Sequence, residues 1–235
     1  MLDSIGNYHG ASSRYITVLE AVQDRMEGRG RVLYSEGCHL WRDRLEHLAQ
    51  PDDRLAEARA VAELLFGDVS PSGKLPVTFY RDSALSEMPD FTDYSMRNRT
   101  YKYYTGTPLY PFGYGLSYAD IALTDLRADR ESALVTLENR SEFAAEQVVQ
   151  LYLRCEGDAA APTNGALVGF ARVRLAPGER REAALPLSDT AFTVVDEDDV
   201  RRPGRGRWTL YAGFGQPDAR TQELSGQVCR CVSIL

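Results

Sequence analysis

Apolar and polar residues alternate with a period of two through the second half of the chain. Val149, Leu151 and Leu153 share one face of a predicted strand, and Gln150 and Tyr152 take the other. The same alternation predicts seven strands in all, at 121–127, 133–138, 147–154, 167–175, 183–187, 208–213 and 221–228. Turn residues separate these runs between residues 117 and 226, which is typical of an immunoglobulin-like or fibronectin-III-like antiparallel β-sandwich. The predicted core includes Val149, Leu151, Leu153, Val173 and Leu175.

The first third of the chain has a different pattern. Helical spacing predicts helices at 17–26 and 53–66, and short apolar runs predict strands at 31–35 and 75–79. The apolar stripe of the second helix consists of Leu55, Ala58, Ala62, Leu65 and Phe66. Asp52 or Asp53 would cap this helix and Gly67 would end it. Two or three strands cannot make a parallel sheet that helices cover on both faces, so this part is predicted to be a truncated α/β remnant.

A segment rich in aromatic residues joins these two parts. Seven aromatic residues lie between Arg99 and Tyr118, and Pro108 and Pro111 exclude a regular helix there. We expect an ordered crossing segment whose rings pack against the bodies on either side. The predicted organisation is therefore mainly β: a truncated α/β remnant at 1–80, an aromatic linker at 81–116, called the strap below, and a fibronectin-III-like β-sandwich at 117–235.

The sequence RTY followed by PLYPFGYGLSY, within residues 99–118, resembles a junction in glycoside hydrolase family 3, the β-glucosidases and β-xylosidases. In that family the junction lies between an α/β sandwich domain and a fibronectin-III-like domain. The stretches GNYHG (6–10), YSEGC (34–38) and SGKLPVTF (72–79) are similar to the start and the end of the family's α/β domain. The strands VVQLYLR, GFARVRL and WTLYAGFG are similar to its third domain. The resemblance implies a carboxy-terminal portion that lacks the barrel and the middle of the α/β domain.

The resemblance also implies an activity that this portion lacks by itself. The intact family hydrolyses terminal β-linked glucosyl or xylosyl residues with retention and without a redox or organic cofactor. Its nucleophile is an Asp on the barrel, and its acid/base Glu commonly lies in the missing part of the α/β domain. No position here matches either residue, so we assign no catalytic residue, no metal ligand and no cofactor, and the substrate-binding residues stay unknown.

Four other carboxylates are candidates for substitutes: Glu36, Glu87, Asp90 and Asp93. Nothing in the sequence places a pair of them about 5 Å apart, the spacing that a retaining site needs. The family's strap often has Glu-Gly before the RTY element, whereas this chain has Arg97-Asn98. That departure argues against a sugar site in the strap.

The composition argues against two kinds of partner, nucleic acids and membranes. A net charge of −7 argues against nucleic acid as a partner, and no apolar run reaches the roughly 20 residues that span a bilayer, so no membrane contact is predicted. The first residues lack the pattern of a secretory signal. We expect a cytoplasmic protein in which Cys38, Cys155, Cys229 and Cys231 stay reduced.

Three functional classes remain open at this point. In the first class, the chain is one piece of a hydrolase whose barrel lies on another polypeptide. A second copy of the chain is the alternative to the barrel as its partner. Alternatively it is a non-catalytic module that binds β-linked oligosaccharide or another protein. The third class is an inert product of gene decay.

Overall fold

The computed structural model describes residues 18–27 and 55–234, and the chain divides into two compact units between Val69 and Ser70. The strand predicted at 31–35, the helix cap at Asp52 or Asp53, and Glu36 lie outside the described residues. The second unit begins with the eleven residues that precede the strap, so residues 70–116 belong to the same unit as the sandwich.

The first unit contains both predicted helices, α1 (Val18–Met26) and α2 (Leu55–Phe66), which contact each other. The guanidinium of Arg25 donates to both carboxylate oxygens of Asp68, at 2.9 and 2.6 Å. Gly67 adopts a left-handed conformation with φ of 76°, and this ends α2 as the sequence predicts. No helix among the described residues has both the length and the apolarity to cross a membrane.

The second unit is an antiparallel β-sandwich. In chain order it contains a 3-10 helix (Asp82–Glu87), α3 (Thr100–Tyr103), β1 (Ile121–Ala128), β2 (Ser132–Asn139), β3 (Ala145–Glu156), β4 (Ala166–Leu175), β5 (Arg180–Pro186), β6 (Thr193–Val195), β7 (Arg201–Pro203), β8 (Arg207–Gly213), α4 (Ala219–Ser225) and β9 (Arg230–Ile234). One sheet has the strand order β1-β2-β5 and the other β4-β3-β8-β9, while β6 and β7 form a separate hairpin. The fold is therefore mainly β, as the alternation predicts.

The core lies between the two sheets. All five predicted core residues are buried: Val149, Leu151 and Leu175 have no exposed surface, and Leu153 and Val173 are 3% and 6% exposed. Leu137 of β2 and Leu210 of β8 contribute fully buried side chains from the two sheets. This continuous apolar layer is the main source of stability that the described residues show.

Two predicted strands are wrong. Residues 219–225 form α4, because the Asp218 side chain accepts a hydrogen bond from the Thr221 amide and Gly226 closes the helix in a left-handed conformation. The last strand of the sheet is instead β9, which pairs with β8. Residues 75–79 form no strand but an isolated bridge between Phe79 and Tyr110, because Pro76 has no amide to extend the ladder.

Candidate functional site

The strap covers the outer face of the four-stranded sheet. Gln150 and Tyr152 point away from the core between the sheets, yet they are only 3% and 0% exposed. The ring of Tyr101 stacks on Phe112 with centroids 4.1 Å apart, and both rings meet Tyr152 edge-on at 6.3 and 6.4 Å. These strap aromatics therefore form a second apolar layer on the sheet.

A buried hydrogen-bond network fixes the strap at this place. The Gln150 amide donates to the carbonyl oxygens of Gly113 at 3.0 Å and Phe214 at 3.4 Å, and its oxygen accepts from the Tyr152 hydroxyl at 2.6 Å. Burial raises the pKa of Tyr152, so this hydroxyl keeps its proton. Gly113 has φ of 76°, and a Cβ there would collide with the Gln150 side chain. The positive φ and the lack of space for a Cβ therefore both require glycine at position 113, within the strap's PFGYG sequence.

We expect Gln150→Leu to loosen the strap more than the sandwich. The leucine leaves the Tyr152 hydroxyl and the Gly113 carbonyl without their buried partner, which costs about 1–3 kcal/mol for each group that stays unsatisfied. Hydrogen exchange should therefore accelerate in residues 101–114 before it accelerates in β2. The double variant Gln150→Leu with Tyr152→Phe is the matched control, because it removes one of the orphaned groups. Uniform acceleration throughout the unit would contradict a local role for Gln150.

The strap's carboxylates form turns rather than a catalytic pair. Asp90 accepts from the Thr92 amide at 2.9 Å and the Thr92 hydroxyl at 2.6 Å, and Asp93 accepts from the Ser95 amide at 2.9 Å. These hydrogen bonds lower the pKa of both carboxyls. A glycosidase acid needs a raised pKa to hold its proton at neutral pH, so neither Asp suits that role. Glu87 lies exposed at the end of the 3-10 helix.

The loop that contains Asp90 and Asp93, residues 88–98, is braced by Arg99 of the RTY sequence. The Arg99 guanidinium donates to the carbonyl oxygens of Pro89 at 3.2 Å and Asp90 at 2.6 Å. Asn98 has φ of 55°, and its side chain accepts from the Thr105 hydroxyl at 2.8 Å. Asparagine is the residue that best replaces glycine in this conformation. Asn98, which stands where the family often has Gly, is therefore compatible with the same turn.

Two rings on the braced loop have no cover within their own unit. Phe91 is 86% exposed and Tyr94 is 85% exposed, unlike the strap rings that pack on the sheet. Their positions follow directly from the turns at Asp90 and Asp93. The loop thus combines a hydrogen-bonded backbone with two aromatic side chains in solvent, a combination that is typical of interaction surfaces.

A cavity of about 310 Å³ lies where the end of the strap meets β1, β8 and α4. The Lys74 side chain lines it, and its Nζ donates to the Gly115 carbonyl at 3.1 Å. Gly115 packs so closely on Gly73 that a Cβ would overlap the Gly73 carbonyl oxygen. The Lys74 side chain thereby lies against the segment that leads into β1. Sequence reasoning missed this residue, because nothing in its local pattern marks it as half-buried.

Burial lowers the pKa of Lys74 from 10.5 to about 8. Between these two pH values the unfolded chain binds more protons than the folded chain, so the stability contributed by this site rises with pH. We expect Lys74→Met to be more stable than the native chain at pH 7, by at most about 3 kcal/mol. That advantage should shrink as the pH rises from 8 to 10.5. Thermal denaturation of both proteins across this range is the measurement.

Lys102 provides the control for this pH effect, since Lys74 and Lys102 are the chain's two lysines. Lys102→Met removes the other lysine and is the comparison for the loss of a lysine side chain. If Lys74→Met and the native chain showed parallel curves between pH 8 and 10.5, the pKa of Lys74 would not be lowered by desolvation.

Within residues 18–27 and 55–234, no three His, Cys, Asp or Glu side chains gather so that they could hold a metal ion. Burial raises the pKa of Cys229, which lines the cavity, to about 11. This thiol stays protonated at neutral pH, which makes it a poor nucleophile and a poor ligand.

Two family models match the chain. Residues 55–118 match the glycosyl hydrolase family 3 C-terminal domain, and residues 147–216 match the fibronectin type III-like domain. The first match ends at Tyr118, the last residue of the PLYPFGYGLSY sequence, and the second runs from within β3 to just beyond β8.

Known proteins with similar sequences are glycosidases. A xylan 1,4-beta-xylosidase of Xylanibacter ruminicola is 34% identical over 173 residues, which are 71% of this chain and 20% of that protein. A probable beta-glucosidase J of Aspergillus fumigatus is 37% identical over 223 residues, 81% of this chain and 25% of that protein. The chain thus spans a fifth to a quarter of these relatives.

Two solved structures of β-glucosidases are similar to this chain. The beta-glucosidase DesR from Streptomyces venezuelae, in complex with D-glucose, superposes with a TM-score of 0.61 at 27% identity, over 76% of this chain and 25% of DesR. A Bifidobacterium adolescentis GH3 beta-glucosidase has the same TM-score at 26% identity, over 76% of this chain and 28% of its own.

Proposed function

Since the chain belongs to glycoside hydrolase family 3, with residues 55–118 matching its C-terminal domain and residues 147–216 its fibronectin type III-like domain, we propose that it is the non-catalytic portion of a β-glucosidase or β-xylosidase. In this function it binds a partner polypeptide that carries the catalytic barrel. The assembled enzyme removes terminal β-linked glucosyl or xylosyl residues from oligosaccharides. The names of the relatives, which include xylosidases and glucosidases, support this substrate class.

The braced loop at residues 88–98 is the observation that carries this proposal. Phe91 and Tyr94 are more than four-fifths exposed, while the Arg99 contacts and the turns of Asp90 and Asp93 hold the backbone between them. An ordered loop loses little conformational entropy when it binds, and aromatic rings supply much of the contact energy at protein interfaces. The loop is therefore well suited to contact the barrel.

The internal packing of the second unit supports the same function. Strap and sandwich share buried rings and a buried hydrogen-bond network, so the loop is attached to a body that does not depend on the barrel for its own core. A body of this kind can be folded before it meets its partner. We propose that it docks as a preformed module, with the loop as its leading contact.

Binding to a complementary barrel tests the proposal. The partner used is the part of the Xylanibacter ruminicola xylosidase that precedes the segment similar to this chain. We expect a stable complex in size-exclusion chromatography, and hydrolysis of aryl β-xyloside by the complex that exceeds the hydrolysis by the barrel alone. Phe91→Ala with Tyr94→Ala should weaken the complex by at least about tenfold, since buried aromatic contacts are worth 1–2 kcal/mol or more each.

Phe170→Ala is the matched control, because Phe170 is 68% exposed on β4 and lies outside the loop. It should bind the barrel as the native chain does. Both variants should keep the native melting temperature, because all three rings lie in solvent. No complex with the barrel, or equal loss of binding in the control, would refute the loop as the docking surface. Self-association in place of barrel binding would favour a second copy of the chain as the partner.

A further inference from the structure

The cavity beside Lys74 has the size and the polar groups of a small-molecule site. We propose that it binds a polyhydroxylated carboxylate of monosaccharide size, of which a hexuronate is the simplest example. Its volume of about 310 Å³ lies at the lower end of ligand-binding pockets and suits one sugar ring rather than an oligosaccharide. Every residue that lines it belongs to the second unit, so the site does not require the barrel.

The charge of the ligand follows from Lys74. Its ammonium donates one hydrogen bond, to the Gly115 carbonyl, although an ammonium has three donors. Burial alone accounts for the change in its pKa, so no carboxylate among the described residues compensates the charge. Lys74 is half-buried. A partly desolvated ammonium without a counter-ion is unfavourable, and an anionic ligand reduces that penalty. The ligand therefore carries a carboxylate directed at Lys74.

The hydroxyl groups of the ligand follow from two further side chains in the cavity wall. Thr221 is 6% exposed, and its hydroxyl has no hydrogen-bond partner among the described residues. Gln147 is 3% exposed, and its oxygen accepts from the Val148 amide at 3.0 Å, while its NH₂ group has no partner in the described part of the chain. The buried Thr221 hydroxyl without a partner costs free energy that a hydroxylated ligand recovers, and the Gln147 NH₂ group is a further donor for such a ligand.

The remaining wall suits the apolar and polar edges of a sugar ring. Tyr114 and Phe214 supply aromatic surface, against which the C–H face of a pyranose packs. The Tyr114 ring is held by stacking on Tyr110, with centroids 5.7 Å apart. Asp120 is exposed and provides an acceptor for hydroxyl groups, whereas Arg140 is engaged by Glu138 at 3.1 Å. A lone inorganic anion would leave the rings and the two uncharged groups without contacts.

Lysine-selective ¹³C labelling gives a direct test on the full chain, because Lys74 and Lys102 are the chain's two lysines. The probe is sodium D-glucuronate at pH 7, compared with D-glucose and with sodium acetate. We expect glucuronate to shift the Lys74 Cε–Hε signal and to move its titration midpoint above about 8, while the Lys102 signal stays unchanged. Glucose lacks the carboxylate and acetate lacks the hydroxyls, so each should bind at least about tenfold more weakly.

Two variants separate the contributions of the charge and the hydroxyl. Calorimetry should show that Lys74→Met weakens glucuronate binding by roughly 10- to 100-fold and Thr221→Val by roughly 3- to 10-fold. Thr221→Val should leave the melting temperature of the unliganded chain unchanged or raise it, because it removes a hydroxyl that has no partner. Lys102→Met is the control and should bind as the native chain does.

The outcomes that overturn this inference are distinct. Equal affinities for acetate and glucuronate would show a general anion site, and equal affinities for glucose and glucuronate would remove the role of Lys74. A Lys74 signal that stays unchanged at millimolar glucuronate would show that no uronate binds. None of these results affects the association with the barrel, which is measured separately.

Discussion

Leu151→Ala should lower the free energy of unfolding by about 2–5 kcal/mol, the largest stability change that we expect from a single substitution in this chain. Leu151 lies on the central strand β3, has no exposed surface and belongs to the core cluster between the two sheets. It lies opposite Gly169 of β4 and Ala212 of β8. These small neighbours cannot fill the space that the lost side chain leaves, so the cavity remains.

Urea denaturation measures this change. The midpoint should fall while the slope of free energy against urea concentration stays the same, because the surface exposed on unfolding hardly changes. Leu85→Ala is the matched control, since Leu85 is 65% exposed in the 3-10 helix and its truncation should change stability by less than about 0.5 kcal/mol. A loss below about 1 kcal/mol for Leu151→Ala would show that β3 does not lie in a closed core.

The sandwich is largely predictable from the sequence because its strands bury one face between two sheets. Val149, Leu151 and Leu153 alternate with polar or aromatic residues, and the structure buries all three. β3 pairs with β4 over residues 145–153 and with β8 over residues 150–156, so it lies between two strands of its sheet. Local pattern and long-range pairing agree in these strands, so the local pattern is sufficient.

The wrong prediction at 221–228 arose where two local signals compete. Thr221, Val228 and the residues between them give a weak alternation, but Asp218 and Gly226 have the spacing of a helix cap and a helix end. The capping hydrogen bonds decide the outcome, and β9 then supplies the strand that completes the sheet. The cap residues in the sequence were a usable signal that the alternation obscured.

The outer face of β3 and the cavity were not predictable in this way. Gln150 and Tyr152 occupy positions that face solvent in an ordinary sandwich, and the strap that covers them lies about forty residues earlier in the chain. Lys74 is half-buried beside Gly115 and the segment that leads into β1, again through contacts distant in sequence. Such burial depends on which segments meet, and a single sequence without its structure does not specify that.

The largest effect that we expect concerns catalysis. Purified alone, the chain should not hydrolyse aryl β-glucosides or aryl β-xylosides above the uncatalysed rate. Retaining hydrolysis needs a carboxylate nucleophile beside the anomeric carbon and an acid on the leaving group, with the two carboxyls about 5 Å apart. Loss of one member of such a pair lowers the rate by several powers of ten. The chain spans a fifth to a quarter of its glycosidase relatives, and we assign it neither member.

The surroundings of Asp90 and Asp93 also argue against catalysis by the chain alone. Asp90 and Asp93 are engaged by Thr92 and Ser95, and these hydrogen bonds favour their ionised forms, so neither holds a proton for the leaving group at neutral pH. A sensitive chromogenic assay on the native chain is the measurement, with Glu36→Gln, Glu87→Gln, Asp90→Asn and Asp93→Asn as companion variants. Turnover that one of these variants abolishes would reveal an active site within this chain and would overturn the non-catalytic function that we propose. Equal background rates in all five proteins, together with activity once the barrel is added, would place the chemistry on the partner.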